Sequence, residues 1–107
     1  HARCLSRMNA WCYVKVHRQG GDMLVAVCDE ELLGRELDTG SFKLPIRPEF
    51  YAGERVPLDR LWEYLEGATM INAFGDRVVS ELAKRIPIIN LAAVRIGGVL
   101  HVQLILR

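Results

Sequence analysis

Two glycine pairs, Gly20-Gly21 and Gly97-Gly98, each separate runs rich in valine and other β-formers, and no other feature restricts the fold so sharply. A two-residue glycine turn fixes the register of the strands that flank it. With Gly20 and Gly21 at the turn, Trp11 to Arg18 and Met23 to Cys28 form a hairpin in which Val16 faces Val25 and Val14 faces Val27. Tyr13 and Lys15 then fall on the other face, opposite Cys28 and Ala26. With Gly97 and Gly98 at the turn, Val94 faces His101 and Ala92 faces Gln103, while Ala93, Leu100, Val102, Leu104 and Leu106 share the other face with Arg95 as its one polar member.

Between the hairpins the period changes. Asp29-Glu30-Glu31-Leu32-Leu33-Gly34 reads as one acidic helical turn, because carboxylates favour a helix N-terminus and glycine a C-cap. Gly40, Pro45, Pro48 and Gly53 make 35 to 56 a loop with one short strand around Phe42 to Leu44, pinned down by its aromatics. From Pro57, at a first helical position, Leu58, Leu61, Trp62 and Leu65 form a 3.6-residue stripe that Gly67 ends or weakens. A second helix follows Gly75, with Asp76 in its first turn, Val78, Val79, Leu82 and Ile86 on one face, Lys84 and Arg85 in its last turn, and Pro87 beyond. The expected fold is α+β: a mainly antiparallel sheet built from the N- and C-terminal hairpins, packed against two central helices on one side.

At 107 residues, 50% of them hydrophobic, the chain is one small globular domain rather than a disordered segment. Its formal charge of +1 excludes a global electrostatic pull on nucleic acid, so any RNA contact must come from a local patch. No run approaches the roughly 18 apolar residues of a membrane span and no signal-peptide core is present, which predicts a cytoplasmic protein with no membrane partner. Cys4, Cys12 and Cys28 are odd in number and lack C-x-x-C spacing, as expected of reduced thiols that bind no metal. Residues 1 to 7 carry no apolar period and read as a tag remnant or extension, with Met8 the expected start of a single domain over 8–107. Removing Arg3 and Arg7 with that segment turns the formal charge to −1.

Several runs carry a resemblance: Tyr13-Val14-Lys15-Val16, Cys28-Asp29-Glu30-Glu31-Leu32-Leu33-Gly34, Phe50-Tyr51-Ala52-Gly53-Glu54, Asn72-Ala73-Phe74-Gly75 and Gly97-Gly98-Val99-Leu100-His101-Val102-Gln103. On them the chain resembles an archaeal family of small conserved, uncharacterised proteins, domain of unknown function 424, from about Met8 to Arg107. Leu100, where such sequences often carry proline, and Pro57, in place of a serine-like cap, depart from the pattern. The resemblance implies an archaeal, thermophilic source. It implies no established activity, and an association with translation or RNA metabolism is an expectation that no motif here carries.

Candidate chemistry is sparse. His101 and Gln103 project from one face of the last strand among Val94, Val99 and Ile105, either as the floor of a pocket or as hydrogen-bonded anchors for a loop such as Phe50 to Glu54. Asn72, before Gly75, either reaches the same pocket or caps a turn. Cys28 ends a strand before a helical turn, which favours a thiolate, but Asp29, Glu30 and Glu31 oppose it. A Cys28 and His101 dyad requires the two hairpins to adjoin. The acidic set Asp29, Glu30, Glu31, Glu36 and Asp38 lacks the ligand spacing of a calcium loop and reads as a solvated helix start. Trp11, Tyr13, Lys15 and His17 share one hairpin face, with Arg18 at the turn and Arg95 on the other hairpin, and such a set can stack bases and hold phosphates or simply fill the core. The leading reading is a binding module for a protein or RNA partner, without cofactor; no catalytic motif stands out. The alternative is a small hydrolase or transferase using His101 with Gln103, Asn72 or Cys28. A homodimer through a free sheet edge is a third expectation.

Overall fold

A computed structural model of the protein describes residues 10–106; the expected extension 1–7, the start at Met8 and Cys4 lie outside them. Strands β1 (Trp11–Gln19) and β2 (Asp22–Asp29) form the first hairpin in the register that its turn dictates, with Val14 opposite Val27 and Tyr13 opposite Cys28. Gly20 alone has a positive φ there, +60°, as in a type II′ turn. The expected acidic helical turn follows as a single 3₁₀ turn, Glu30–Leu32, which ends at Leu33 just before Gly34.

The chain then crosses the sheet as a strap, and this segment holds more structure than its glycines and prolines predict. Strands β3 (Glu36–Asp38) and β4 (Lys43–Pro45) pair as a separate two-stranded sheet, and the short helix α1 (Pro48–Tyr51) follows. Strand β5 (Glu54–Pro57) then joins the edge of β1, with Val56 opposite Cys12. Gly53 permits that approach, since a Cβ there would lie 2.5 Å from the Val14 carbonyl oxygen.

Pro57 therefore ends a strand rather than opening a helix, and the expected α-helix is a 3₁₀ helix, Leu58–Tyr64. Beyond Gly67 comes β6 (Met70–Phe74), a strand that periodicity did not predict, running parallel to β2. Helix α2 (Asp76–Ala83) buries Val78, Val79 and Leu82, as its stripe requires. Leu91 and Ala92, expected to begin a strand, belong instead to the short helix α3 (Ile89–Ala92), so Ala92 does not pair with Gln103. Strands β7 (Val94–Ile96) and β8 (Val99–Ile105) form the second hairpin, with Val94 opposite His101 and positive φ at both Gly97 and Gly98.

The main sheet has the order β5-β1-β2-β6-β8-β7, antiparallel except for β2 with β6, and the architecture is α+β. One face carries Cys12, Val14, Val25, Val27, Ile71, Ala73 and Val102, which pack under α2, α3 and the 3₁₀ helix. Each of the valine and isoleucine side chains among them stabilises the fold by roughly 1.5–3 kcal/mol when fully buried. The opposite face is covered in part by the strap, through Leu32, Leu37, Ile46 and Tyr51. Helices on one side were expected, and the second layer is the addition. Among the described residues no helix is long and apolar enough to cross a membrane.

One corner joins both layers. Asp29, 4% exposed, accepts hydrogen bonds from the backbone N–H groups of Arg77 (3.1 Å) and Val78 (2.9 Å), and so caps α2 from the end of β2. Burial pushes its carboxyl above the usual range, while those two amides pull it back. The residue assigned from sequence to start its own helix thus closes another.

Candidate functional site

Strand pairing arranges the strap-side face in rows. Tyr13, Cys28, Phe74, His101 and Val94 form one; Lys15, Ala26, Asn72 and Gln103 the next; His17, Leu24, Met70 and Ile105 the third. Cys28, Asn72, His101 and Gln103 therefore share a face, but β6 lies between the two hairpins. Phe74 separates Cys28 from His101, which puts them roughly 10 Å apart at ordinary strand spacing.

Across the upper rows runs a chain of rings. His17 stacks on Phe50 (4.7 Å between centroids), Phe50 meets Tyr51 edge-on (4.9 Å), Tyr51 meets Phe74 edge-on (6.4 Å), and Phe74 stacks on His101 (4.1 Å). Where the strap rises from the sheet it leaves a cavity of about 260 Å³, walled by Leu44, Pro45, Phe50, Tyr51, Phe74 and Ile96, with Asn72 and His101 on its sheet side and Arg47 on the strap. This is an apolar pocket with few polar groups, the usual form of a small-ligand site. The Tyr51 hydroxyl donates to Asn72 Oδ1 (2.6 Å), and Asn72 Nδ2 donates to Gln103 Oε1 (3.3 Å). Tyr51 is thereby locked to the sheet, and desolvation raises its pKa well above that of free tyrosine. His101 Nδ1 donates to the Ala73 carbonyl (2.9 Å), and burial lowers the ring's pKa below 6.5.

His101 lines the cavity and bonds to Ala73 of β6 rather than to the strap; the strap is held through Tyr51 by Asn72, in the row beside it. Gln103 is exposed and serves as the acceptor for Asn72 rather than as lining. Cys28 is fully buried and its thiol is pushed up to about 12, first by desolvation and then by Asp29. A thiol so placed cannot supply a thiolate to His101 at neutral pH. Alkylation by iodoacetamide at pH 8, followed by peptide mapping, should leave Cys12 and Cys28 less than about a tenth as modified in the native protein as in denaturant. Equal labelling would mean that these strands open.

The basic and aromatic hairpin face is largely engaged. Lys15 Nζ donates to the Glu49 carbonyl (2.7 Å) and His17 Nε2 to the Phe50 carbonyl (2.8 Å), so both hold the strap down. The Arg55 guanidinium lies over the Trp11 ring at 4.1 Å. Tyr13 packs against the strap core, and Arg18 stays exposed at the hairpin end. Arg95 projects to the opposite side of the sheet, toward Asp76 (3.3 Å) and the Gly98 carbonyl (2.9 Å). These six residues do not converge. Among the described residues no cluster of three or more His, Cys, Asp or Glu is placed to hold a metal ion.

Arg47, Phe50, Tyr51, Phe74 and Ile96 were not singled out as site residues from sequence. A signal existed, since Phe50-Tyr51 and Ala73-Phe74 sit in two of the runs that carry the family resemblance.

A solved structure described as an uncharacterized conserved protein from Methanopyrus kandleri has the same fold, with a TM-score of 0.78 and 29% sequence identity over 91% of this chain and 92% of that one. No curated protein matches. The family described as protein of unknown function, DUF424, matches residues 17–106, which include the strap, the pocket and both glycine turns. The chain is a member of that family.

Proposed function

We propose that the protein is a binding module that seats an unpaired base of RNA in the pocket between strap and sheet. One observation carries the reading: a cavity of about 260 Å³ walled by three aromatic rings and by Leu44, Pro45 and Ile96, with an amide and an imidazole on its sheet side and a guanidinium on the strap. Single-stranded RNA is recognised by that combination of stacking, edge hydrogen bonds and phosphate contact. A base stacked on the rings of the pocket would bring its phosphate toward Arg47, which has no ion pair among the described residues. A phenylalanine side chain would fill the same walls but would leave the imidazole and the guanidinium unanswered. The formal charge of +1 supports local and modest binding rather than long-range attraction.

Fluorescence anisotropy with short single-stranded RNA, at low salt and over a salt series, tests this. Single strands should bind at least about ten times more tightly than a duplex of the same sequence, with a log–log salt slope of about −0.7 per phosphate held. Arg47→Ala should weaken binding and flatten the slope by about 0.7. Absence of binding at low salt, equal affinity for the duplex, or binding of aromatic peptides alone would overturn the proposal.

A further inference from the structure

We infer that His101 sets the hydrogen-bond polarity of the pocket, so that it selects a planar group presenting an N–H donor over the same ring lacking one. The inference rests on the base-binding reading above and adds what that base must offer. A carbonyl oxygen can only accept, so the 2.9 Å bond from His101 Nδ1 to Ala73 fixes the ring's proton on Nδ1 and leaves Nε2 as an acceptor. The stack on Phe74, at 4.1 Å and 26°, holds the plane of the ring. The neighbouring polar groups cannot supply a compensating donor with equal freedom. Tyr51 has committed its hydroxyl proton to Asn72 Oδ1, which turns the Asn72 amide so that Nδ2 points to Gln103. Apart from Arg47, taken up by the phosphate, the pocket therefore offers lone pairs at His101 Nε2 and Tyr51 Oη against a single remaining Asn72 N–H.

A ring without an N–H would desolvate Nε2 and return nothing, and an unpaired buried acceptor costs more than a good hydrogen bond contributes. Around His101 the strap places Arg47 and Tyr51, β6 places Asn72 and Phe74, and β7 places Ile96, the last three without a titrating group. Burial lowers the ring's pKa and outweighs the bond to the Ala73 carbonyl, which raises it. Protonation at acid pH would convert Nε2 from acceptor to donor, so the preference must weaken as pH falls below 6.5 through the lowered His101 pKa.

Two ligand pairs test the inference on the full chain by titration calorimetry: adenosine 5′-monophosphate against purine riboside 5′-monophosphate, and uridine 5′-monophosphate against its N3-methyl derivative. In at least one pair the donor-bearing member should bind about 5–10-fold more tightly at pH 7.5, with the advantage shrinking toward unity on acidification. His101→Phe keeps a stacking ring and removes the acceptor, and it should reduce the preference to within about twofold while weaker binding persists. Binding of both members of both pairs with equal affinity by the native protein would overturn this inference and leave base binding intact. Failure of every nucleotide to bind would overturn both. The comparison within the native protein does not depend on the folding of any variant.

Discussion

Gly75→Ala should lower the stability of the protein by about 3–5 kcal/mol, seen as a fall of about 20 °C in the thermal midpoint. Gly75 stands between β6 and α2 at φ +123° and ψ 140°, a backbone conformation that only glycine adopts without strain. A Cβ there would also fall inside the van der Waals envelope of the Asp29 carboxylate, touching Cγ and Oδ2. The carboxylate cannot yield without releasing the first turn of α2. Gly34→Ala is the matching control: its φ is +81°, yet nothing lies within 4 Å of the added methyl, so the cost there should be only about 1–2 kcal/mol. Similar costs at the two positions would mean that the steric contact with Asp29 contributes nothing.

How much of the fold was legible depended on whether a signal was local. A glycine pair is local, and both hairpin registers follow from it, down to Val14 with Val27 and Val94 with His101. The stripe of Val78, Val79 and Leu82 is local as well, and α2 begins directly after Gly75, as that stripe requires. Met70-Ile71-Asn72-Ala73-Phe74 has no such signal: methionine, asparagine and alanine are weak strand formers, and an amide interrupts the apolar run. Its strand conformation is imposed by burial between β2 and β8, which is tertiary information. Leu91 and Ala92 failed for the opposite reason, because a short apolar run is compatible with either a strand or a helical turn.

The same distinction governs the site. Asn72, His101 and Gln103 stood out as polar interruptions of apolar segments, and the sheet brings all three to one face because each lies at an even spacing from the next along paired strands. The rings that enclose the pocket come from the strap, and no periodicity links Phe50 and Tyr51 to Phe74, more than twenty positions away. Their meeting depends on Lys15 and His17, which fasten the strap through backbone carbonyls. From sequence those two residues group with Trp11, Tyr13, Arg18 and Arg95 as a candidate nucleic-acid surface. A cation on a strand face has more than one use, and here long-range topology, rather than residue type, assigns it.

Removal of the carboxylate itself, Asp29→Ala, should cost about 2–4 kcal/mol, because the amides of Arg77 and Val78 are left without their acceptor inside the fold. Asp29→Asn keeps one acceptor oxygen of the two and should cost roughly half as much. The loss should reach the pocket. Gly75 N–H donates to the Leu100 carbonyl (2.8 Å) and Asp76 Oδ1 accepts from Leu100 N–H (3.0 Å), so the corner that Asp29 closes also fixes β8 immediately before His101. Combining Asp29→Ala with Gly75→Ala removes most of the contact while keeping the strain. With the carboxylate gone, an added methyl at 75 meets no Cγ or Oδ2, and the backbone strain remains together with the approach to Cβ of residue 29 at 2.7 Å. The double variant should be more stable than the sum of the single costs implies by about 1–2 kcal/mol, measured by denaturant unfolding of all four proteins. Strict additivity would show that Gly75 and Asp29 act independently, and the closure of α2 by the end of β2 would then need another source.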